Sequence, residues 1–449
     1  MTVVRSPGRD RPVSDDWLYA WGVGYAAVGA ASLLVPLYAI SLGADAFHVG
    51  LMASTAAFAG VPGALLWGRL AARTGRRRPF VLVALGSTAG VLALTPVLTS
   101  PWTLLLANAA LWFVVSAAAP VLNLIVVEGV PESAWDERIG SLNAVQGYGW
   151  VVGLAVGTVW TALAPRVLDP TAAQELLFFL LAVTTTIALG VVRLRYPERP
   201  TTDPARFRRA FRRFEPSNWG AGRFVRAVPY GPNRLYWVIS ISARRWRARR
   251  RRSESDQQSG TVATEGGGSP LRRYFVAVGL FSVGSAIFWG PMPAYLTDVG
   301  FVTGVVFLLF LSANVGSAVC YTPVGKLVGK RGPRPVQSVA LAVRSALFPA
   351  VGLAGVVLGT SLGYALALAF LLIGVTWAAI AVTATGIVTR ISPSGNRGEA
   401  LGAYTAIAGF GGGVGSVVGG AIASLTGYTV TFVLAGVVVA AGLGLVVRE

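Results

Sequence analysis

The chain has 449 residues, of which 54% are hydrophobic and 13% are charged, and its mean hydropathy is +0.62. A soluble globular protein of this length is not expected to be so apolar, so the composition indicates a membrane protein. The net charge of +19 does not by itself indicate a nucleic-acid partner, because most Lys and Arg residues lie beside apolar segments, where positive charge orients membrane helices.

Twelve apolar runs follow one another along the chain. A helix needs about 20 apolar residues to cross the hydrocarbon layer, and its backbone must be hydrogen-bonded internally. The runs therefore predict an all-α integral membrane protein with twelve transmembrane helices. We expect them at residues 17–40, 48–70, 79–99, 102–127, 138–164, 174–194, 273–296, 302–326, 335–358, 361–389, 398–425 and 427–447.

Two polar regions precede and divide these helices. Residues 1–16 form a tail without the order of a cleaved signal peptide, so the first helix is expected to act as an uncleaved anchor. Residues 196–272 form an arginine-rich central loop. Since Lys and Arg concentrate at the termini, in this loop and in the other even-numbered loops, we expect all of these to be cytoplasmic and the chain to lie in the cell membrane. The run at residues 243–252 is expected to contact anionic lipids; without a recognisable nucleic-acid-binding fold, no nucleic acid is expected.

The two halves of the chain repeat each other. A shift of 257 residues aligns Tyr38 with Tyr295, and a shift of 262 aligns glycines of the fifth helix with glycines of the eleventh. The glycines are Gly140, Gly149, Gly153 and Gly157 in the first half and Gly402, Gly411, Gly415 and Gly419 in the second. A parallel repeat of six helices predicts two bundles, at residues 17–195 and 273–447, with a solute bound near the midplane between them.

With this repeat, the sequence resembles the major facilitator superfamily over the whole chain except the termini and the central loop. The loop GRLAARTGRRRPF is similar to the family motif between helices two and three, but Ala72 stands where the family has Asp. A second copy, GKLVGKRGPR, has Gly329 at that place. The resemblance implies an inner gate that closes the cytoplasmic side, and Glu128 is the candidate to replace the missing acid.

We expect this gate to contain the motif residues and charges near the inner rim. They are Gly68, Arg73, Gly75, Arg76, Arg77, Glu128, Arg138, Lys330, Arg334 and Arg390. The alternative is that the arginines only anchor the topology.

The glycines of the fifth and eleventh helices have two interpretations. Small residues at this spacing let helices approach closely, which favours packing between the two halves. The pattern also resembles the helix-five motif of the family's exporters, which implies a leak-tight hinge, although Leu154 and Thr158 replace the Pro and the second Gly of that motif.

Several polar and aromatic residues could line a central cavity. The resemblance implies that helices one, five and seven line it, so the expected residues are Tyr38, Asn143, Gln146 and Tyr295. Arg344 is a charge within a helix, which is costly and therefore a candidate functional group. It either faces the cavity and binds an anionic group, or extends to the cytoplasmic rim, which we favour. His48 is expected at the outer membrane interface.

These features predict a secondary active transporter that works by alternating access. The motifs favour export of amphipathic compounds or metabolites, with proton antiport or another coupling ion as an option. The alternatives are a facilitator or importer of a small polar metabolite, and a membrane sensor without transport activity. We expect a monomer that is not an enzyme and has no cofactor or metal, because the sequence has no phosphate-binding loop, metal-ligand spacing or nucleophile elbow.

Overall fold

Helices make up nearly all of the described chain. The computed structural model describes residues 16–60, 67, 70, 78–127, 135–196, 270–358, 363–392 and 397–447. The first half contains α1 (Asp16–Ser41), α2 (Ala46–Phe58), α3 (Arg78–Leu94), α4 (Pro101–Val127), α5 (Trp135–Leu163) and α6 (Pro170–Arg195). The second half contains α7 (Pro270–Trp289) with a short continuation (Met292–Asp298), α8 (Thr303–Arg331), α9 (Pro333–Leu358), α10 (Gly363–Ile391), α11 (Arg397–Thr426) and α12 (Tyr428–Val447).

These elements confirm the all-α membrane fold. Eleven helical segments within the described ranges are long and apolar enough to cross a membrane, and α2 is shorter over its described length. No strand occurs in these ranges. Most of the predicted central loop, residues 197–269, lies outside the description.

Several helices differ from their predicted bounds, for example α3, which ends at Leu94 instead of residue 99. Two of the differences have a clear cause. The seventh was expected as one helix over 273–296, but α7 ends at Trp289 and a new short helix begins at Met292. The interruption is at Gly290–Pro291, because proline has no N–H to donate and disfavours a helical residue before it. α8 continues past the predicted end at 326 to Arg331, where basic residues in the last turn favour the helix C-terminus.

Successive helices run in opposite directions, which defines two faces. We call the face where α1 begins and α12 ends the proximal face, and the opposite one the distal face. Odd-numbered helices therefore run from proximal to distal. Within the first bundle α1 packs on α5 and α6, and α3 on α6; within the second, α7 packs on α11 and α12, and α9 on α12. The same pairing occurs in both halves, as a repeat requires.

The repeat extends to single hydrogen bonds at the distal face. Gly43 and Gly300 have φ of 91° and 101°, a left-handed conformation that favours glycine. Gly43 donates its N–H to the Ile40 carbonyl at 2.9 Å, and Gly300 donates to Thr297 at the same distance. Both glycines thus end the first helix of their bundle in the same way.

Glycines bring α5 into backbone contact with α1. A β-carbon at Gly153 would lie 2.0 Å from the Ala26 carbonyl oxygen, and one at Gly149 would lie 2.5 Å from that of Gly22. The second bundle repeats this contact, since a β-carbon at Gly415 would lie 2.4 Å from the Val283 carbonyl oxygen on α7. The glycine stripes therefore pack helices inside each bundle.

Contact between the halves occurs at the end of this stripe. A β-carbon at Gly157 would lie 2.3 Å from the Phe307 ring on α8. The interpretation of the glycines as packing between the halves thus applies to Gly157. Gly149 and Gly153 instead pack against α1 within the first bundle. Gly140 has open space around it, and Gly402 is buried.

We predict that Gly153→Ala destabilises the protein by about 1–3 kcal/mol, because the added methyl group cannot fit against the α1 backbone. The measurement is thermal unfolding of purified protein in detergent. Gly140→Ala is the matched control on the same helix, and its stability should stay equal to or slightly above that of the parent. Equal unfolding temperatures for both variants would contradict the α1–α5 contact.

Candidate functional site

Among the described residues, two helix pairs make most of the contacts between the bundles, α5 with α8 and α2 with α11. A β-carbon at Gly304 of α8 would lie 3.0 Å from the Ala162 nitrogen of α5. A β-carbon at Gly50 of α2 would lie 2.5 Å from the Ser416 carbonyl oxygen of α11. The repeat relates α2 to α8 and α5 to α11, so the interface has a pseudo-twofold arrangement.

A small apolar cluster closes the distal end of this interface. It brings together Ala46 and Val49 of α2, Ala294 of the short helix and Ala423 of α11, each at most 7% exposed. Farther along α2, the Phe58 ring contacts Phe410 of α11 at a centroid distance of 5.9 Å. These contacts lie between the middle of the helices and the distal face.

One hydrogen bond crosses the interface near the distal cluster. The side-chain amide of Gln174 on α6 donates to the Thr303 hydroxyl at the start of α8, at 3.2 Å. The Oε1 atom of the same amide is buried and accepts no hydrogen bond. This bond adds a polar contact to an otherwise apolar closure.

Asn143 and Gln146 lie on the side of α5 that meets the other bundle. With 3.6 residues a turn, Asn143 is about five turns before Thr161 and Gln146 about three turns before Gly157. Gly157 and Thr161 are the residues of α5 that face Phe307 and Gly304 of α8. Thr161, Gly157, Gln146 and Asn143 thus form one stripe along α5, which runs from the interface with α8 toward the proximal face.

Four aromatic rings lie beside this stripe in the first bundle. The centroids of Trp21 and Tyr25 on α1 are 6.3 Å apart, and Tyr25 is 6.1 Å from Trp150 on α5. Trp150 is also 6.1 Å from Trp112 on α4. Trp21 and Trp150 are absent from the sequence-based cavity prediction. Trp21 is four residues from Tyr25, and Trp150 is four residues from Gln146, so each pair lies on one helix face. This spacing could have identified both tryptophans from the sequence.

Arg344 lies inside the second bundle, with 0% exposure. Its Nε donates to the Thr376 hydroxyl and its Nη1 to the Ser285 hydroxyl, both at 3.1 Å, and its Nη2 donates to the Ile373 carbonyl at 2.9 Å. The guanidinium carbon is 5.4 Å from the Trp377 ring centroid. The expected extension to the cytoplasmic rim is therefore wrong. The guanidinium instead joins α9 to α7 and α10, the helices that supply its acceptors.

Tyr38 and Tyr295 occupy equivalent places and use their hydroxyls within their own bundles. Tyr38 donates to the Pro96 carbonyl at 3.1 Å and lies 3.2 Å from a Glu175 carboxylate oxygen. Tyr295 donates to the Val351 carbonyl at 2.6 Å. Both side chains are at most 2% exposed, so in this conformation they support the bundles beside the interface.

The predicted inner gate is only partly within the described chain. Lys330 and Arg390 are exposed, and Arg138 and Arg334 are half-buried, all near the proximal face. Gly332, with φ of 82°, ends α8 between Lys330 and Arg334, as a tight turn in the second loop copy requires. The remaining gate residues lie outside the described residues: Gly68, Arg73, Gly75, Arg76, Arg77 and Glu128.

His48 belongs to the distal face. The Asp45 carboxylate accepts from the His48 backbone N–H at 3.0 Å and lies 2.5 Å from its Nδ1, so it caps the start of α2. Partial burial works to raise the pKa of Asp45, but the hydrogen bonds from His48 outweigh it and lower this pKa below its usual value. The His48 ring also packs on Trp102 at 4.7 Å, as expected of an interfacial histidine.

Comparison with known proteins agrees with this architecture. The model of the Major Facilitator Superfamily matches residues 18–249 and 274–449. The structure is similar to that of the nucleoside transporter NupG, with a TM-score of 0.67 and 12% identity over 97% of this chain and 98% of that one. It is also similar to a partially occluded inward open conformation of the xylose transporter XylE from E. coli, with a TM-score of 0.60 and 14% identity over 96% and 95% of the chains. No curated protein sequence matches.

We predict that Arg344→Lys lowers stability more than Arg344→Met. A lysine buries a charge that cannot reach three acceptors at once, whereas replacement of a buried charge by an apolar side chain is often neutral. Thermal unfolding in detergent compares the variants, and Arg390→Lys, at an exposed site on α10, should leave the unfolding temperature unchanged. A lysine variant as stable as the parent would show that the guanidinium geometry is not what holds α9 against α7 and α10.

Proposed function

Because this chain belongs to the Major Facilitator Superfamily, we propose that it exports a small amphipathic compound or metabolite across the cell membrane by alternating access. Membership of this family makes the chain a multi-pass membrane transporter of a small solute and not an enzyme. The observation that supports the proposal is the position of the contacts between the bundles. Within the described residues, the contacts named above lie from the middle of the helices to the distal face, while Asn143 and Gln146 continue the α5 stripe on the other side.

The orientation of the chain in the membrane decides from which side a solute can enter when the bundles are joined at the distal face. The arginines of the N-terminal tail and of the central loop make the proximal face cytoplasmic. With the bundles joined on the distal side, a solute would reach the central stripe from the cytoplasm, which is the state that loads a solute for export. In the complementary state the bundles part at the distal cluster and close proximally.

The proximal closure would be made by the inner gate. In this proposal Arg73, Arg76 and Arg77 would pair with Glu128, the candidate to replace the acid missing at Ala72, and Arg138, Lys330, Arg334 and Arg390 would complete the ring of charges. Proximal basic residues near helix C-termini also interact favourably with the helix dipoles. We further propose that the run at residues 243–252 contacts anionic lipids and that the protein works as a monomer.

The positions of the acidic residues favour a second candidate, a facilitator or importer of a small polar metabolite. In the described helices and turns, acids stand at helix ends: Asp16, Asp45, Asp136, Glu137, Asp169, Glu175, Asp298 and Glu399. A proton carrier in the middle of the membrane would need a carboxylate there. If export is proton-coupled, the carriers are therefore Glu128 or an acid of the distal face. The similar structures of a nucleoside and a xylose transporter suggest small polar solutes for the test.

We predict solute flux across the membrane of liposomes that contain the purified protein and an internal pH dye. The panel comprises nucleosides, xylose, lipophilic cations, amphipathic drugs and organic anions, counted alongside the dye signal. Opposing proton movement would support antiport, and flux without protons would favour the facilitator. A ligand that binds without any flux would contradict transport and support a membrane sensor.

We also predict that the two ends of the α5–α8 pair move in opposite senses. Spin labels at Leu163 and Val302 report the distal distance, and labels at Gly140 and Lys326 the proximal one, in a Cys320→Ala background. A transported solute should lengthen the first distance in part of the population and shorten the second. If both distances stay fixed while solute crosses the membrane, movement of two rigid bundles is wrong.

A further inference from the structure

We infer that the first bundle carries a binding half-site for a flat, uncharged nitrogen heterocycle with an amide-like edge, formed by the rings of Trp21, Tyr25, Trp112 and Trp150 and the amide of Gln146. This inference rests on the proposed transport function and names the solute class of that site. The side chains come from α1, α4 and α5.

Two polar groups in this half-site have no hydrogen bond to the described residues. The buried Nε1 donor of Trp21 has no partner among them, and the residue is 4% exposed. Gln146 is also 4% exposed as a residue, but its amide atoms are not among the fully buried atoms that lack a partner. Buried polar groups are nearly always hydrogen-bonded, so the Trp21 donor needs an explanation. A polar ligand that binds both would supply one.

The helix geometry puts these two groups at the same level. Tyr25 and Trp150 are in contact, and α1 and α5 run in the same direction. Trp21 precedes Tyr25 by four residues and Gln146 precedes Trp150 by four, so each lies on the same helix face one turn toward the proximal side. The indole N–H and the amide therefore flank the same space below the Tyr25–Trp150 contact.

The repeat shows that the fold itself does not require these side chains. The positions equivalent to Trp21 and Tyr25 are Val278 and Ser282 on α7, and those equivalent to Gln146 and Trp150 are Ala408 and Gly412 on α11. The second bundle makes the same helix contact through its glycines with these small residues in place. The aromatic rings and the amide are thus an addition of the first bundle, as a binding function would require.

The chemistry of the half-site selects the ligand class. The indole N–H donates to a carbonyl oxygen, and the Gln146 amide can both accept from an N–H and donate to a second oxygen. A carbonyl next to an N–H on a flat ring satisfies these groups while its faces pack on the aromatic side chains. None of the five side chains is ionised, so a neutral ring is favoured over a charged one.

The test compares uridine, which has this edge, with its N3-methyl derivative, which keeps the ring but loses the donor. Binding to the purified full-length protein is measured by calorimetry. The parent should bind uridine about tenfold more tightly than the methylated compound, the difference that one hydrogen bond in a buried site provides. Gln146→Leu should remove this preference, and Trp21→Phe, which keeps a ring without the N–H, should weaken both ligands.

Stability separates a binding role from a structural one. Gln146→Leu removes an amide that has no hydrogen bond to the described residues, so its unfolding temperature should equal or exceed that of the parent. The matched control is Gln337→Leu in the second bundle, where the amide is fully buried but bonded to the Tyr274 hydroxyl at 2.9 Å. This control should unfold at a lower temperature and keep the preference for uridine.

The remaining outcomes distinguish failure of the half-site from failure of the transport function. Equal binding of the two compounds, no binding of either, or an unchanged preference in Gln146→Leu would overturn the half-site. Flux of other solutes without uridine binding would leave the transport function standing and reject the half-site alone. Uridine binding that depends on Gln146, without flux in liposomes, would retain the half-site and reject transport.

Discussion

The backbone contact of α5 with α1, and of α11 with α7, is the constraint on which the rest of the structure depends. In lipid, apolar side chains gain little from facing each other, so helices associate where small residues let their backbones meet. A β-carbon at Gly153 would lie only 2.0 Å from the Ala26 carbonyl oxygen, and this close approach fixes the rotation of α5 about its axis. That rotation turns Gly157 toward the second bundle and places Trp150 against Tyr25, so packing and the candidate site follow from one contact.

The two bundles also contact each other through small residues that let their helices approach closely. Glycines and alanines of α2, α8 and α11 let the bundles touch closely from the middle of the helices to the distal face, and the Gln174–Thr303 bond adds one polar contact. An interface of small side chains and few hydrogen bonds can separate without leaving many buried groups unsatisfied. This property suits two rigid bundles that alternate between two arrangements, whereas the interior of each bundle stays packed.

The two bundles share a backbone plan but differ in chemistry. The first has a path of aromatic rings and two unbonded polar groups next to the interface. The second has a buried guanidinium, Arg344, which donates to oxygens of α7 and α10, and Ser87 stands at the equivalent position of the first half. The two halves share the glycine contacts but differ in their polar side chains. The glycine contacts therefore form the scaffold, and the polar side chains that differ are those that can give specificity.

The sequence by itself determined the helical membrane fold and the twofold repeat, because a membrane permits few backbone arrangements. The tertiary structure decided the rest. It showed that Arg344 points into its bundle, that Gly149 and Gly153 meet α1, and that Trp21 and Trp150 adjoin the predicted amide Gln146. Those outcomes depend on the rotation of each helix and on neighbours distant in the chain, which local sequence patterns do not contain.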